Sequence, residues 1–201
     1  MKKYITIIFL FTLFTQSSFT KDKGDQLLKS LQNKFNSIVN VTAEFSQSVN
    51  GKINLSGKFF FEKKTKLRLE LKNLIIVSNG KTYWSYNKKD NKVVISDYDK
   101  ENPSVFSISD FIESYPSQCS VSSIQEGGRE ILVLTAKSNS LKFKTAKIWM
   151  NTENLIEKIS INSSGGKAVE ITFKGYQINQ KLSSTIFKFI PPKGSSIVDL
   201  R

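Results

Sequence analysis

Lys66-Leu67-Arg68-Leu69-Glu70-Leu71-Lys72, followed closely by Leu74-Ile75-Ile76-Val77 and Asn79-Gly80, decides the fold class. In the first run leucines alternate with charges, which puts the leucines on one face of an extended strand and the charges on the other. The second run is short, continuous and apolar. Asn-Gly then supplies the residues that a tight hairpin turn requires. The same period of two extends outward in both directions. Upstream, Val41, Ala43 and Phe45 alternate with polar neighbours, as do Ile53, Leu55, Gly57, Phe59 and Phe61. Downstream, strands are expected at Thr82–Tyr86, Lys92–Ser96, Cys119–Ile124, Ile131–Ala136, Ala146–Met150, Ile156–Ile161, Ala168–Phe173 and Phe187–Ile190. Roughly ten or eleven strands at this spacing predict a mainly β protein, either a barrel or a strongly curved sheet.

Two segments break the period. From Asp25 to Ile38, Leu27, Leu28, Leu31, Phe35 and Ile38 recur at helical spacing, with Lys29, Gln32, Asn33, Lys34 and Asn36 outward and Asp25 as N-cap. After Asn102-Pro103, the residues Val105, Phe106, Ile108, Phe111 and Ile112 suggest a short apolar helix that Tyr115-Pro116 ends. An apolar sheet face must be buried against something. Too few residues are left for a second full sheet, so the economical arrangement is a curved sheet closed on its concave face by these two helices. The enclosed space is either a packed core or a ligand cavity. The inward candidates are Phe45, Phe59, Phe61, Leu67, Leu69, Ile75, Ile148, Ile159 and Phe173. Of three consecutive phenylalanines, Phe60 must face the other way and is expected to pack under a helix or loop.

The N-terminus reads as an export signal. Met1-Lys2-Lys3 is basic, Tyr4 to Phe14 is apolar, and Thr15-Gln16-Ser17-Ser18-Phe19-Thr20 is small and polar. The apolar run is too short to span a bilayer, which takes about 20 residues. Residues 1–20 are therefore expected to be a signal peptide, cleaved near Ser18 or Thr20, and residues 21–201 one domain. No cysteine stands near that point, so lipidation there is not expected. Cys119 is the single cysteine, which rules out an internal disulfide and suggests a buried thiol.

The net charge is +13, nearly all of it lysine; Arg68, Arg129 and Arg201 are the arginines. Such a surface suits anionic lipid headgroups or an acidic partner, although the lysines are spread along the sequence. No arginine–aromatic cluster points to nucleic acid. Histidine is absent, which removes the usual general base, triad partner and metal ligand. No acidic pair stands out, and Gly165-Gly166-Lys167 lacks phosphate-loop spacing. A binding protein without cofactor or metal is expected, rather than an enzyme.

Four segments together resemble the periplasmic outer-membrane lipoprotein carrier family, LolA. They are the helix and strand leading to Ala43-Glu44-Phe45-Ser46-Gln47, the glycine-led Gly57-Lys58-Phe59-Phe60-Phe61, the run Ile76-Val77-Ser78-Asn79-Gly80-Lys81-Thr82-Tyr83-Trp84-Ser85-Tyr86-Asn87, and Phe187-Lys188-Phe189-Ile190-Pro191-Pro192-Lys193-Gly194. The resemblance spans nearly all of the chain after the signal, and the last two segments are its specific part. It implies an unclosed antiparallel β-barrel with a helical lid over an apolar cavity. It also implies a monomeric periplasmic protein that takes acylated lipoproteins from an inner-membrane lipoprotein-releasing ABC transporter to an outer-membrane lipoprotein receptor. On this mapping the lid is Val105 to Glu113, with Phe106, Ile108, Phe111 and Ile112 facing the cavity, and the first helix adds Leu27, Leu31 and Phe35. Family members commonly carry Arg-Pro after the glycine-led strand, the arginine holding the lid shut. Lys63-Lys64 stands there in this chain, so Lys63 is the expected latch, weaker than a planar guanidinium. A periplasmic lipid-binding sensor of the same half-barrel is the alternative. Such sensors usually carry a further C-terminal domain, which is not expected after Arg201.

Overall fold

The computed structural model describes residues 20–63, 66–98 and 109–201. Helix α1 (Lys21–Ser37) precedes β1 (Asn40–Val49), β2 (Lys52–Glu62), β3 (Lys66–Leu71), β4 (Leu74–Asn79), β5 (Thr82–Asn87) and β6 (Lys92–Asp97). A π-helical turn (Asp110–Ser114) and a 3-10 turn (Tyr115–Gln118) then lead into β7 (Cys119–Glu126), β8 (Arg129–Ala136), β9 (Phe143–Met150), β10 (Ile156–Ser163), β11 (Ala168–Ile178) and β12 (Ser196–Asp199). All twelve strands form one open sheet in the order β12-β6-β5-β4-β3-β2-β1-β11-β10-β9-β8-β7. Every neighbouring pair is antiparallel except β12, which runs parallel to β6.

The register assigns the two faces. Ala43, Phe59, Leu69 and Ile76 lie opposite one another across β1 to β4 and share the inner face. Thr42, Phe60, Arg68, Val77 and Trp84 share the outer face. In the second half, Ile171, Ile159, Ile148 and Leu132 continue the inner row. The helix shows that the sheet curls. Thr20, at its N-terminus, bridges to Ser123 on β7, while Phe35 near its C-terminus stacks on Phe61 of β2 at 5.8 Å. Six interstrand steps of about 4.8 Å separate those strands along the sheet, and a helix of this length covers about 25 Å. The helix therefore lies as a chord across a concave face. Gly24 makes its close approach possible, because a Cβ there would lie 2.5 Å from the Ser122 backbone.

Four expectations need correction. The helix starts at Lys21 with Thr20 as N-cap, not at Asp25, because Thr20 is fixed by its backbone bridge and by a 2.9 Å hydroxyl bond to Ser123 Oγ. Phe187–Ile190 is turn and irregular chain instead of a strand; Pro191-Pro192 offer no N–H to a ladder. The last strand is Ser196–Asp199, which makes the strand total twelve. The segment before β7 is a π-turn and a 3-10 turn in its described part, with Pro116 setting the tighter geometry. Phe187 is buried on the outer side, near the point where Arg68 Nη1 donates to the Ile186 carbonyl at 3.2 Å. Phe189 meets the Tyr86 ring at 5.8 Å. The C-terminal segment thus lies along the outer face of the first half-sheet.

Candidate functional site

The inner face carries one continuous apolar cluster. Phe45, Phe59, Leu69, Ile148, Ile159 and Phe173 are buried in it, and Phe61 and Leu67 pack against it. Of the predicted set, Ile75 falls elsewhere. It pairs with Glu70 and Tyr86 and so belongs to the outer face, while its neighbour Ile76 faces inward at 2 % exposure. A continuous apolar run has no alternation to reveal its phase.

The cover over this cluster comes from two elements. Helix α1 buries Leu31 in it and packs Leu27 and Phe35 against it. From the π-turn, Ile112 is fully enclosed and Phe111 lies against the cluster. Phe111 stacks on Phe143 at 5.6 Å and meets Tyr115 edge-on at 5.0 Å; Tyr115 closes the triangle with Phe143 at 5.4 Å. Phe106, Ile108 and Lys64 lie outside the described residues.

Among the described residues, side-chain polar bonds meet the cover at several points. Gln32 Nε2, expected to point outward, donates to the Ile112 carbonyl at 2.9 Å and so links the two covering elements. Lys63 Nζ donates to the Asn36 carbonyl in the last turn of α1. A cation there also complements the negative end of the helix dipole. Lys34, half-buried, approaches the exposed Glu153 of the β9–β10 turn at 3.8 Å, a long pair of small energetic weight. At the other end of the helix, Ser123 Oγ bonds the Glu130 carboxylate and holds it below the usual carboxylate range, with Lys23 adding to the effect.

Beside the β9–β10 turn is a groove of about 340 Å³, lined by Asn151, Glu153, Leu155, Glu157, Phe173 and Tyr176 among others. Phe173 and Leu155 belong to the inner cluster, so the groove reaches the apolar face from the rim. Tyr176 donates to the Ile156 carbonyl at 2.6 Å, and burial pushes its phenol well above the ordinary range. Cys119 is 3 % exposed within the same cluster, and burial raises its thiol pKa.

The chain thus builds an open sheet whose apolar inner face is covered by a helix and a short turn. The model of the outer membrane lipoprotein carrier protein LolA matches residues 36–190. The chain belongs to the LolA family. Among curated relatives, an outer-membrane lipoprotein carrier protein of Legionella pneumophila is 26 % identical over 207 residues, covering 98 % of this chain and 99 % of the relative. An uncharacterized protein of Methanocaldococcus jannaschii is 27 % identical over 183 residues, and the match spans 87 % of this chain but 53 % of that protein. Among solved structures, an uncharacterized conserved protein of Thermus thermophilus shares the fold, with a TM-score of 0.59 at 13 % identity over 88 % of this chain and 99 % of that one.

Three parts of this LolA-family site escaped the sequence reading. Gln32 looked like a solvent-facing helix position. Phe143 was not singled out, because its partners Phe111 and Tyr115 are far away in sequence, and Tyr115 stood only as the end of the short helix. The groove at Phe173 lies beside the bulge between β1 and β11, where the register shifts between Thr42 and Glu44. No local pattern announces that shift, although the Gly175 that follows Lys174 was a usable signal.

Proposed function

We propose that this protein is a periplasmic carrier that shelters the acyl chains of lipoproteins against its inner sheet face. It receives them from an inner-membrane lipoprotein-releasing ABC transporter and yields them to an outer-membrane lipoprotein receptor. The observation that carries this reading is how the apolar face is closed. No second sheet covers it among the described residues. Side chains of α1 and of the Asp110–Ser114 turn do so, and Gln32 of α1 donates to the Ile112 carbonyl of the turn. A face closed by a separable cover can exchange that cover for a ligand.

The acyl cavity in this reading is the inner set Phe45, Phe59, Phe61, Leu67, Leu69, Ile148, Ile159 and Phe173. The lid is Leu27, Leu31, Phe35, Phe111 and Ile112, and Lys63 is the latch on α1. A methylene leaving water gains about 0.8 kcal/mol, so a 16-carbon chain gains on the order of 10 kcal/mol. A lipid-anchored protein therefore needs a container to cross an aqueous compartment. Residues 1–19 act as the export signal, and cleavage falls before Thr20, whose contacts with Ser123 start the helix.

The test is to express the full chain for export, purify it gently from the periplasm and analyse what accompanies it. Lipoprotein or lipid in the purified fraction is expected; its complete absence under mild conditions overturns the reading. Lys63→Arg should retain the cargo longer in a transfer assay, and an unchanged rate removes Lys63 from the mechanism.

A further inference from the structure

The lysines are scattered in sequence, but the topology gathers many of them. In an antiparallel sheet every second turn falls at the same end. Five neighbouring hairpins, β5–β6, β3–β4, β1–β2, β10–β11 and β8–β9, turn at one end of this sheet. The first three carry Lys88, Lys89, Lys72 and Lys52. The other two carry Lys167, Lys142 and Lys137. All seven are exposed, and the ion pairs among the described residues involve none of them. Asp90 is the one carboxylate in these turns, and the Asn87 amide bonds it at 2.7 Å.

The opposite end is different in kind. There Lys66 pairs with Glu62, Arg129 with Glu157 and Lys34 with Glu153. The positive charge of the sheet is therefore polarised along the strand axis. With strands about 4.8 Å apart, successive turns lie about 10 Å apart, close to the screening length of about 8 Å at physiological ionic strength. Their fields merge into one positive edge.

We propose that this row of turns docks on a bilayer surface that bears anionic headgroups. The row is long, and its turns carry lysine without arginine. Flexible point charges suit a diffuse layer of headgroups better than the planar fork that would read a protein carboxylate. Apolar tips accompany the charge. Ile53, beside Lys52, is 71 % exposed, and Ile190 is 86 % exposed. Ile190 stands between Phe189, on the Tyr86 ring, and Gly194, whose carbonyl accepts from Asn91 of the β5–β6 turn at 3.1 Å. The inference does not depend on what the inner face holds.

The test uses the protein purified from the periplasm after expression of the full chain. Its flotation is measured with vesicles of phosphatidylcholine alone and of equimolar phosphatidylcholine and phosphatidylglycerol. Binding to the anionic vesicles only, abolished by high salt, is expected. Each rim lysine removed should weaken it roughly fivefold, so Lys72→Gln, Lys89→Gln and Lys142→Gln together should cost on the order of a hundredfold. The control pair Lys81→Gln and Lys181→Gln, from the opposite end, should change it little. Equal binding to neutral vesicles, or equal loss in the control pair, overturns the proposal. Binding to soluble polyglutamate as tight as to vesicles also overturns it, in favour of an acidic protein partner.

Discussion

Removing the Gln32 side-chain amide offers a direct measurement of how the cover is held. Gln32→Ala deletes the bond from α1 to the Ile112 carbonyl and leaves the apolar contacts of Leu31 and Phe35 in place. A neutral hydrogen bond of this kind stabilises by about 1 kcal/mol, and the freed carbonyl can be satisfied by water in the open form. The equilibrium between open and closed cover should therefore shift by roughly fivefold toward open. The chain supplies its own reporter. Cys119 is the single thiol; it is buried in the cluster beneath the cover, and its N–H bonds the Pro116 carbonyl of the 3-10 turn. Its reaction with an aromatic disulfide reagent in excess should be limited by the open population. The second-order rate should rise roughly fivefold in Gln32→Ala, with the global unfolding midpoint shifted only slightly. An unchanged thiol rate would refute the idea that this bond holds the cover. A rise that tracks the loss of global stability would show that Cys119 reports whole-molecule unfolding instead.

Other perturbations separate the parts of the fold. Gly24→Ala should normally favour a helix by about 1 kcal/mol, but here the new Cβ meets the Ser122 backbone at 2.5 Å. Thermal melting should show a net destabilisation of about 1–3 kcal/mol, and a gain would mean that the helix does not seat against β7. Phe111→Asp should give a folded protein, judged by circular dichroism, that co-purifies with no lipid; retained cargo would remove Phe111 from the lid. Glu130 should make the start of α1 acid-sensitive. Its folded pKa is lowered, so its contribution is full above the ordinary carboxylate value and is lost as pH falls through the lowered one. Hydrogen exchange around Lys21 to Asp25 should quicken on acidification in the parent and be fast at neutral pH in Glu130→Gln; identical profiles would exclude this anchor.

Alternation made most of the sheet legible. Leu67, Leu69 and Leu71 had to share a face because charges separate them, and the register with Phe61, Phe59 and Gly57 follows from that phase. Phase was lost where alternation stopped. In Leu74-Ile75-Ile76-Val77 both faces are buried, the outer one near the C-terminal segment, so hydrophobicity could not choose between Ile75 and Ile76. The strand Ser196–Asp199 is four residues long, and its parallel pairing with β6 depends on the Gly194 to Ser196 contacts with Asn91. Gln32 sits at the boundary of the helical stripe, where a long polar side chain can reach inward or out. Charge was the most misleading feature when read in one dimension. Seven lysines that look evenly spread along the chain fall at one end of the sheet because antiparallel turns alternate.

The energetics of the proposed carrier explain why its inner face is packed like an ordinary core. An empty apolar cavity would leave Phe59, Leu69 and Ile148 without contacts, at a cost that grows with its volume. In this chain the cover fills that space. Phe35 stacks on Phe61, Phe111 stacks on Phe143, and Ile112 is enclosed. Moving each such side chain back to water costs about 1.5–3 kcal/mol. Displacing three of them would offset much of the gain, on the order of 10 kcal/mol, from burying a 16-carbon chain. The net affinity for one chain is then modest, which suits the proposed transfer to a receptor. Smaller cover residues should therefore bind cargo more tightly and release it more slowly. Phe111→Ala, which creates space without burying charge, should hold lipid longer than the parent in the transfer assay. Faster release from Phe111→Ala would mean that the ring contacts the bound chain instead of competing with it.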